Sequence, residues 1–238
     1  YYTMQLIHDG NANMVSLHAK NIYTNFRGRI TSAQKSAIEL YGNQYFITDL
    51  SDLDSLVRTK CSQELKIEIG FGMGVELARW ATESPDASIL GIELYRPGIG
   101  SLFSKLVSDG IENVRVVEAP AQIVIGEFPN NSIDEIRILF PDPWPKKRHH
   151  RRRFVTSEYL IELQRVMKTG ASLRLATDIS DYVRQALQEV LKHRFSWTAS
   201  EPQDWRECWS DWIPTRYEKK ALQEGRKPYY LTFEKRES

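Results

Sequence analysis

Residues 65–74 read LKIEIGFGMG, a short apolar run that gives way to three glycines at alternate positions. The apolar part, Leu65–Ile69, has the length and composition of a buried strand. Gly70, Gly72 and Gly74 then permit a sharp turn and a close approach of ligand to main chain. Helical spacing follows over Val75–Ala81, and Ser88–Glu93 (SILGIE) reads as a second strand. Glu93 lies 19 residues after Gly74, where an acid suits the two hydroxyls of a ribose. Strand, glycine loop, helix and acid-terminated strand together point to an adenosine-containing cofactor.

Charge narrows the cofactor. Dinucleotide folds space their glycines G-x-G-x-x-G so that a helix N-terminus holds a pyrophosphate. Here the spacing is G-x-G-x-G, and Glu68 stands just before the loop. A carboxylate suits a cation better than a pyrophosphate. The pattern therefore favours S-adenosylmethionine, with its sulfonium and α-amino group, over NAD.

The alternation continues outward from this unit. Pro97 suits the first turn of a helix ending near Gly110. Strands are predicted at Asn113–Val117, Ile133–Phe140 and Leu173–Ala176. Helices are predicted at about 156–168, with Leu160, Leu163, Val166 and Met167 on one face and Gly170 beyond its end, and at 180–193. Alternating strands and helices imply an α/β protein with a parallel sheet covered on both faces, its ligands outside the carboxyl ends of the strands. Upstream, a helix is predicted from the Thr31/Ser32 cap, carrying Ala33, Ala37, Ile38 and Leu40, with Arg27-Gly28-Arg29 before it. The expected organisation is an N-terminal extension over 1–60 and one globular domain over 61–238.

A second informative stretch is RILFPDPWPKKRHHRRR, residues 137–153. An apolar strand runs into Asp142, three alternating prolines and a basic block. The prolines fix φ and stiffen the loop around Asp142 and Trp144. Trp144 reads equally as a base-stacking ring or as a lid on the core. The chain carries 32 Lys+Arg and 31 Asp+Glu; without Lys146, Lys147, Arg148 and Arg151–Arg153 the balance is 26 against 31, a net of −5. The protein is not basic overall; it carries a basic site aimed at a polyanion.

Other features exclude alternatives. No apolar stretch of about 18 residues is present to span a membrane, no secretory leader is read, and Cys61 and Cys208 form no CxxC, so the context reads as cytoplasmic. None of the five histidines has metal-ligand spacing, so no metal is expected. Trp205, Trp209 and Trp212, spaced i, i+4, i+7, predict a helical packing stripe. Asp178 follows the fifth strand and suits either a helix N-cap or the carboxyl-edge site.

Taken in order, EIGFGMG (68–74), Glu93, FPDPW (140–144) with Lys146 and 148–153, Ala176-Thr177-Asp178, and Thr215-Arg216-Tyr217-Glu218 resemble the bacterial tRNA (guanine-N7-)-methyltransferases over roughly residues 26–235. The resemblance implies a class I S-adenosylmethionine-dependent methyltransferase fold: Rossmann-like, a mostly parallel seven-stranded sheet with helices on both faces. It implies tRNA as the substrate, methylated at a variable-loop guanosine; a monomer or homodimer is expected. By the same resemblance Glu68, Glu93 and the glycine loop bind the cofactor. Asp142 is the active-site residue and also lies near the cofactor. Lys146, Asp178 and Thr215, Arg216, Tyr217 and Glu218 touch the guanosine, and Arg148, His149, His150, Arg151, Arg152 and Arg153 contact RNA. One position departs from the family: Pro120 stands after the third strand where the family carries an acid, with Glu118 two residues earlier as a substitute. That departure leaves open a tRNA-binding relative with weak or lost catalysis, and a methyltransferase acting on another RNA is a further alternative.

Overall fold

The computed structural model describes residues 28–58 and 64–237; Arg27 and Cys61 lie outside them. Seven strands, β1 (Leu65–Ile69), β2 (Ser88–Ile92), β3 (Val114–Val117), β4 (Ile133–Leu139), β5 (Met167–Thr177), β6 (Phe195–Trp197) and β7 (Tyr229–Lys235), form one sheet ordered β3-β2-β1-β4-β5-β7-β6. β1 to β5 pair in parallel, and β7 runs antiparallel to both β5 and β6. The chain leaves β1 toward β2 and β3 and returns to its other side as β4. The carboxyl ends of β1 and β4 therefore flank the switch point, where such sheets bind ligands.

One face is apolar throughout. Leu65, Ile67, Ile69, Ile136, Ile138, Leu173, Leu175, Leu231 and Phe233 pack in one core with residues of α5 (Ala121–Gly126), α6 (Ser157–Val166) and α7 (Ser180–Val190). The other face is divided. Over β2 and β3, Ile89, Val114 and Val116 meet α1 (Ser32–Tyr45), α3 (Val75–Glu83) and α4 (Arg96–Ser108). Over β1, β4 and β5, a polar row runs across the sheet, with Glu68 in register with Arg137 and Arg137 with Arg174. This row explains why β1 and β4 alternate apolar and charged residues although both are buried.

The N-terminal helix starts at the expected cap. Thr31 Oγ1 accepts from Gln34 N (3.2 Å) and Gln34 Oε1 accepts from Thr31 N (2.9 Å), a capping box that contributes about 1 kcal/mol. Ala37, Ile38 and Tyr45 are buried, but Leu40 is 70 % exposed and lies off the packed face. Ile47 N donates to Val116 O (2.9 Å), tying the chain ahead of α2 (Leu53–Arg58) to the β3 edge.

Three expectations are corrected. Met167 belongs to β5, not to the helix before it, which ends at Val166, and Gly170 lies inside the strand. The register jumps from Ile133↔Met167 to Glu135↔Ser172, so residues 168–171 bulge from the ladder, with Gly170 at φ +79°. The tryptophans form no helical stripe, because α8 (Gln203–Arg206) is four residues long. Trp205 instead stacks on Tyr229 (5.9 Å, 5°), and Trp209 and Trp212 pack edge-on against Tyr230. Asp178 is not a helix cap: Ile179 holds that position in α7, and its N–H donates to Thr177 Oγ1 (3.3 Å).

Candidate active site

The site is assembled at the carboxyl edge of β1, β2, β4 and β5. After β1 the chain enters the glycine loop with Gly70, Gly72 and Gly74 at φ +74°, +56° and +72°. A Cβ on Gly70 would have nothing within 4 Å, so the loop leaves open space beside its backbone there. The first turn of α4 is pressed against the same loop: a Cβ on Gly98 would stand 1.8 Å from Gly72 O. Glu93 closes the loop onto β2. Its Oε2 accepts from Gly72 N (2.8 Å), and its Oε1 accepts from Leu94 N (2.7 Å) and Tyr95 N (2.9 Å).

Glu68 is 2 % exposed, and its Oε2 has no hydrogen-bond partner among the described residues. Burial, reinforced by Glu76 and opposed by Arg137, pushes its carboxyl up to about 8. A buried acid with an unsatisfied oxygen beside an open loop is poised for a donor or a cation. The partnerless Glu68 oxygen and the open space beside Gly70 fit a ligand that carries positive charge, as S-adenosylmethionine does.

Beside β3, Pro120 occupies the cap position of α5 at φ −60° and offers no donor. Glu118 ends half-buried next to it, 3.5 Å from Arg96, its carboxyl raised by burial and opposed by that arginine. Together with Leu94, Tyr95, Pro97 and Ile38 it lines a cavity of about 540 Å³ between α1 and the ends of β2 and β3.

Asp142 follows β4 on a loop bent at both ends. Phe140 and Trp144 hold φ at +50° and +39°, in the left-handed region that costs a non-glycine residue about 1–2 kcal/mol. Phe140 N donates to Ala176 O (2.8 Å), which docks the loop on β5. The strain is balanced at the other end by Arg153. Its guanidinium is 1 % exposed and donates to Pro143 O (2.8 Å), Gln185 Oε1 (2.7 Å) and Asp181 Oδ2 (2.8 Å). Arg153 is therefore withdrawn from the expected RNA-contacting set. Its donors face inward, and it fixes the loop that carries Asp142. Asp142 itself is solvent-accessible and makes no hydrogen bond or ion pair among the described residues. Partial desolvation against the loop raises its carboxyl above the ordinary value.

The rest of the basic block forms a 3-10 helix over Lys147–Arg152, with three residues per turn. Lys146, Lys147, Arg148 and Arg151 are exposed, whereas His149, His150 and Arg152 are half-buried. Trp144 is also half-buried, beneath the Arg152 guanidinium (5.0 Å) and edge-on to His149 (5.9 Å), as a lid rather than a free platform. His149 is held below its ordinary value by partial burial and by the surrounding cations.

The far wall comes from α9 (Arg216–Gln223). Thr215 and Glu218 form a second capping box. Buried Glu218 also accepts from Trp212 Nε1 (2.6 Å) and from the Tyr230 hydroxyl, so it braces the wall from inside. Tyr217 reaches across to the glycine loop, 3.6 Å from where a Cβ on Gly72 would stand, and its hydroxyl is raised by burial and by the charges of Glu93 and Asp142. Asp178 is held by Arg226 Nε (2.5 Å) at the end of β5.

Sequence reasoning missed what anchors this wall. Asp211 lies between α8 and α9 in chain without regular structure. It is captured by Arg137 Nη2 (2.6 Å), by Arg174 Nη1 (2.8 Å to each oxygen) and, through its carbonyl, by Arg79. Burial alone would raise its carboxyl; Arg137 and Arg174 outweigh that and hold it low. Arg137 is 2 % exposed and stacks on Trp80 at 3.8 Å. Charged residues inside the apolar runs RILF and LRLA were the available signal.

A family model described as "Putative methyltransferase" matches residues 62–231. The tRNA (guanine-N(7)-)-methyltransferase of Roseobacter denitrificans is 54 % identical over 167 residues, 70 % of this chain and 72 % of that protein. The protein of the same description from Ruegeria sp. (strain TM1040) is 51 % identical over 175 residues, 74 % of this chain and 69 % of that one. Among solved structures, the 16S rRNA methyltransferase KamB superposes with a TM-score of 0.58 at 14 % identity, covering 82 % of this chain and 96 % of that one. The 16S rRNA (adenine(1408)-N(1))-methyltransferase variant from Catenulisporales acidiphilia with cosubstrate SAM gives 0.53 at 14 % identity, covering 80 % and 93 %. At such identities the structural likeness establishes a shared fold.

Proposed function

This chain belongs to the tRNA (guanine-N(7)-)-methyltransferase family, and from that premise we infer that it transfers the methyl group of S-adenosylmethionine to N7 of a variable-loop guanosine in tRNA. It is an S-adenosylmethionine-dependent RNA methyltransferase with the class I fold. Family membership supports this enzymatic reading over a tRNA-binding paralogue. We place it in the cytoplasm, acting as a monomer or homodimer. The observation that carries the assignment of the site is the convergence of a ligand-accepting glycine loop, an unpaired carboxylate at Asp142 and the Tyr217 wall on one sheet edge.

The residues divide the work. Glu68 and Glu93 hold the cofactor with the backbone of Gly70, Gly72 and Gly74. When bound, S-adenosylmethionine supplies an electrophilic methyl group on a sulfonium. Guanine N7 carries a lone pair and no proton, so no residue must act as a base toward it. What the site must do is align the base and meet the positive charge that grows on its ring. Asp142 is the catalytic carboxylate, and Asp178 supports it from the end of β5. Acceptors on these carboxylates also match the N1–H and exocyclic amine that distinguish guanine. Lys146, Thr215, Arg216 and Tyr217 frame the base, and Glu218 sets the wall from behind. Removing one pre-aimed charge of this kind costs on the order of 10²–10³ in turnover. Lys147, Arg148 and Arg151 meet the phosphate backbone, with His149, His150 and Arg152 beneath them.

The test is methylation of unmodified tRNA transcripts with labelled donor, followed by mapping of the modified base. Label at N7 of a variable-loop guanosine is expected. Label at another atom, or none from protein that binds the donor, overturns the assignment.

A further inference from the structure

Arginines and lysines on this molecule are mostly spoken for. Lys35, Lys66, Lys105, Arg165, Lys168, Arg184 and Lys192 each have a carboxylate within 4.0 Å. Among the described side chains only eight, Arg29, Lys146, Lys147, Arg151, Arg194, Arg216, Lys219 and Lys227, have no ion pair, hydrogen bond or ring contact. Three of them belong to the basic block. Three more belong to α9 and the turn after it, a segment that neither composition nor motif had marked as a polyanion surface.

The position of α9 gives these charges a meaning. Its first turn lies at the end of β1, where Tyr217 covers Gly72. Just past its last turn, Arg226 holds Asp178 at the end of β5. The helix thus runs along the rim of the base pocket, from the cofactor loop to the second acid. Glu218 and Ala221 are buried beneath it, while Arg216, Lys219, Lys220 and Lys227 are exposed. Its one exposed acid within ion-pair reach, Glu224, is engaged by Arg226 and stands 4.0 Å from Lys220. Outside residues 146–153 and 216–227 the chain holds 21 Lys+Arg against 29 Asp+Glu, a net of −8. The net charge of the rest of the chain thus disfavours a polyanion, whereas these two segments favour one.

We propose that the outer face of α9, through Lys219, Lys220 and Lys227, is a second phosphate-contacting surface for tRNA. It opposes the 146–151 block across the base pocket, so that the backbone is held on both sides of the guanosine being methylated. A membrane or protein partner is less well matched, because the face carries exposed lysines beside the Tyr217 wall of the proposed guanosine site. This inference rests on the proposed function and deepens it.

The experiment compares the full chain with K219A/K220A/K227A and with the charge reversal K219E/K227E, measuring tRNA affinity across a salt series. Each neutralised phosphate contributes roughly 0.7–0.9 to the slope of log affinity against log salt, so the triple variant should have a slope shallower by about 2. Its KM for tRNA should rise about tenfold at low salt, with kcat at saturating tRNA and S-adenosylmethionine affinity unchanged, and the reversal variant should bind more weakly still. A parental slope in both variants overturns the proposal, as does a parental slope with a changed oligomeric state, which would assign the face to a second copy. If the unmodified chain places no methyl on N7, the functional assignment fails; if it does and the slopes match, the surface alone fails.

Discussion

Replacing Glu68 by Gln probes the cofactor end of the site through pH. Burial pushes the Glu68 carboxyl from 4.5 up to about 8, with Glu76 of α3 and Glu93 at the end of β2 reinforcing it and Arg137 of β4 and Arg79 of α3 opposing it. The folded state therefore binds a proton that the unfolded chain releases between those values. With the folded value above the unfolded one, the stabilisation is complete below about pH 4.5 and is lost progressively as pH rises to about 8. At 1.36 kcal/mol per unit the full window amounts to at most about 5 kcal/mol. Glutamine copies the protonated carboxyl in shape and in neutrality. Urea unfolding of the ligand-free proteins at pH 5 and pH 8.5 should show the parent losing several kcal/mol relative to Glu68→Gln. A stability difference between the two proteins that stays constant across this range refutes the reasoning.

The same argument reaches the ligand. A cation bound beside Glu68 favours its ionised form, so binding S-adenosylmethionine at pH 7 should release close to one proton. Titration calorimetry in two buffers of different ionisation enthalpy counts that proton. Glu68→Gln should bind with no release from this position. Equal proton counts in the two proteins would separate Glu68 from the cofactor.

Further outcomes test the rest of the site. Asp142→Asn should lower kcat on the order of 10²-fold with S-adenosylmethionine affinity kept; near-parental turnover would remove Asp142 from the chemistry. Because its carboxyl is raised and must be ionised to meet the growing charge, kcat should fall toward acid pH with a midpoint above the ordinary aspartate value, and a parental kcat–pH profile below the ordinary aspartate value would contradict this. Arg153→Ala should cost about 2 kcal/mol and lower kcat by releasing Pro143, whereas Arg151→Ala should stay within about 0.5 kcal/mol and weaken tRNA binding alone; denaturant unfolding and filter binding separate the two. Asp211→Ala leaves Arg137 buried with a partner removed, so unfolding should become easier by about 3 kcal/mol, and a smaller loss than 1 kcal/mol would show that the arginines re-pair.

The sheet's first half was readable because its signals are local. Leu65–Ile69 and the glycines after it need no tertiary information: the strand bounds match, and each glycine holds a positive φ. The placement of Asp142 on a loop directly after β4 was legible for a similar reason, since three prolines leave that segment few conformations. The junction near Met167 was not, because Met167 is buried whether it ends a helix or begins a strand, and apolar spacing cannot choose. β7 was missed although Tyr229–Phe233 is rich in strand-forming residues and follows Gly225 and Pro228, because its place in the sheet depends on antiparallel pairing with β5 and β6 distant in sequence. The tryptophan spacing fitted a helix, but tertiary partners decided otherwise: Trp209 and Trp212 are drawn to Tyr230, and Asp211 between them is drawn to buried arginines. A helix through this segment would have to give up those charge-assisted bonds for backbone bonds worth about 1 kcal/mol each.

The basic block shows how far composition misleads about role. Six positive charges in eight residues read as one surface, yet a three-residue repeat places 150 and 153 on one side of the 3-10 turn and 148 and 151 on another. The inward side meets Asp181, whose carboxyl Arg153 lowers through its hydrogen bond. One arginine of the block thus serves stability by holding Pro143, and through it the strained loop from Phe140 to Trp144, while Lys146, Lys147 and Arg151 remain unpaired toward solvent. A charge without a partner on a surface where most charges have one is the better guide to binding, and by that measure α9 has as strong a claim on phosphate as the block that first drew attention.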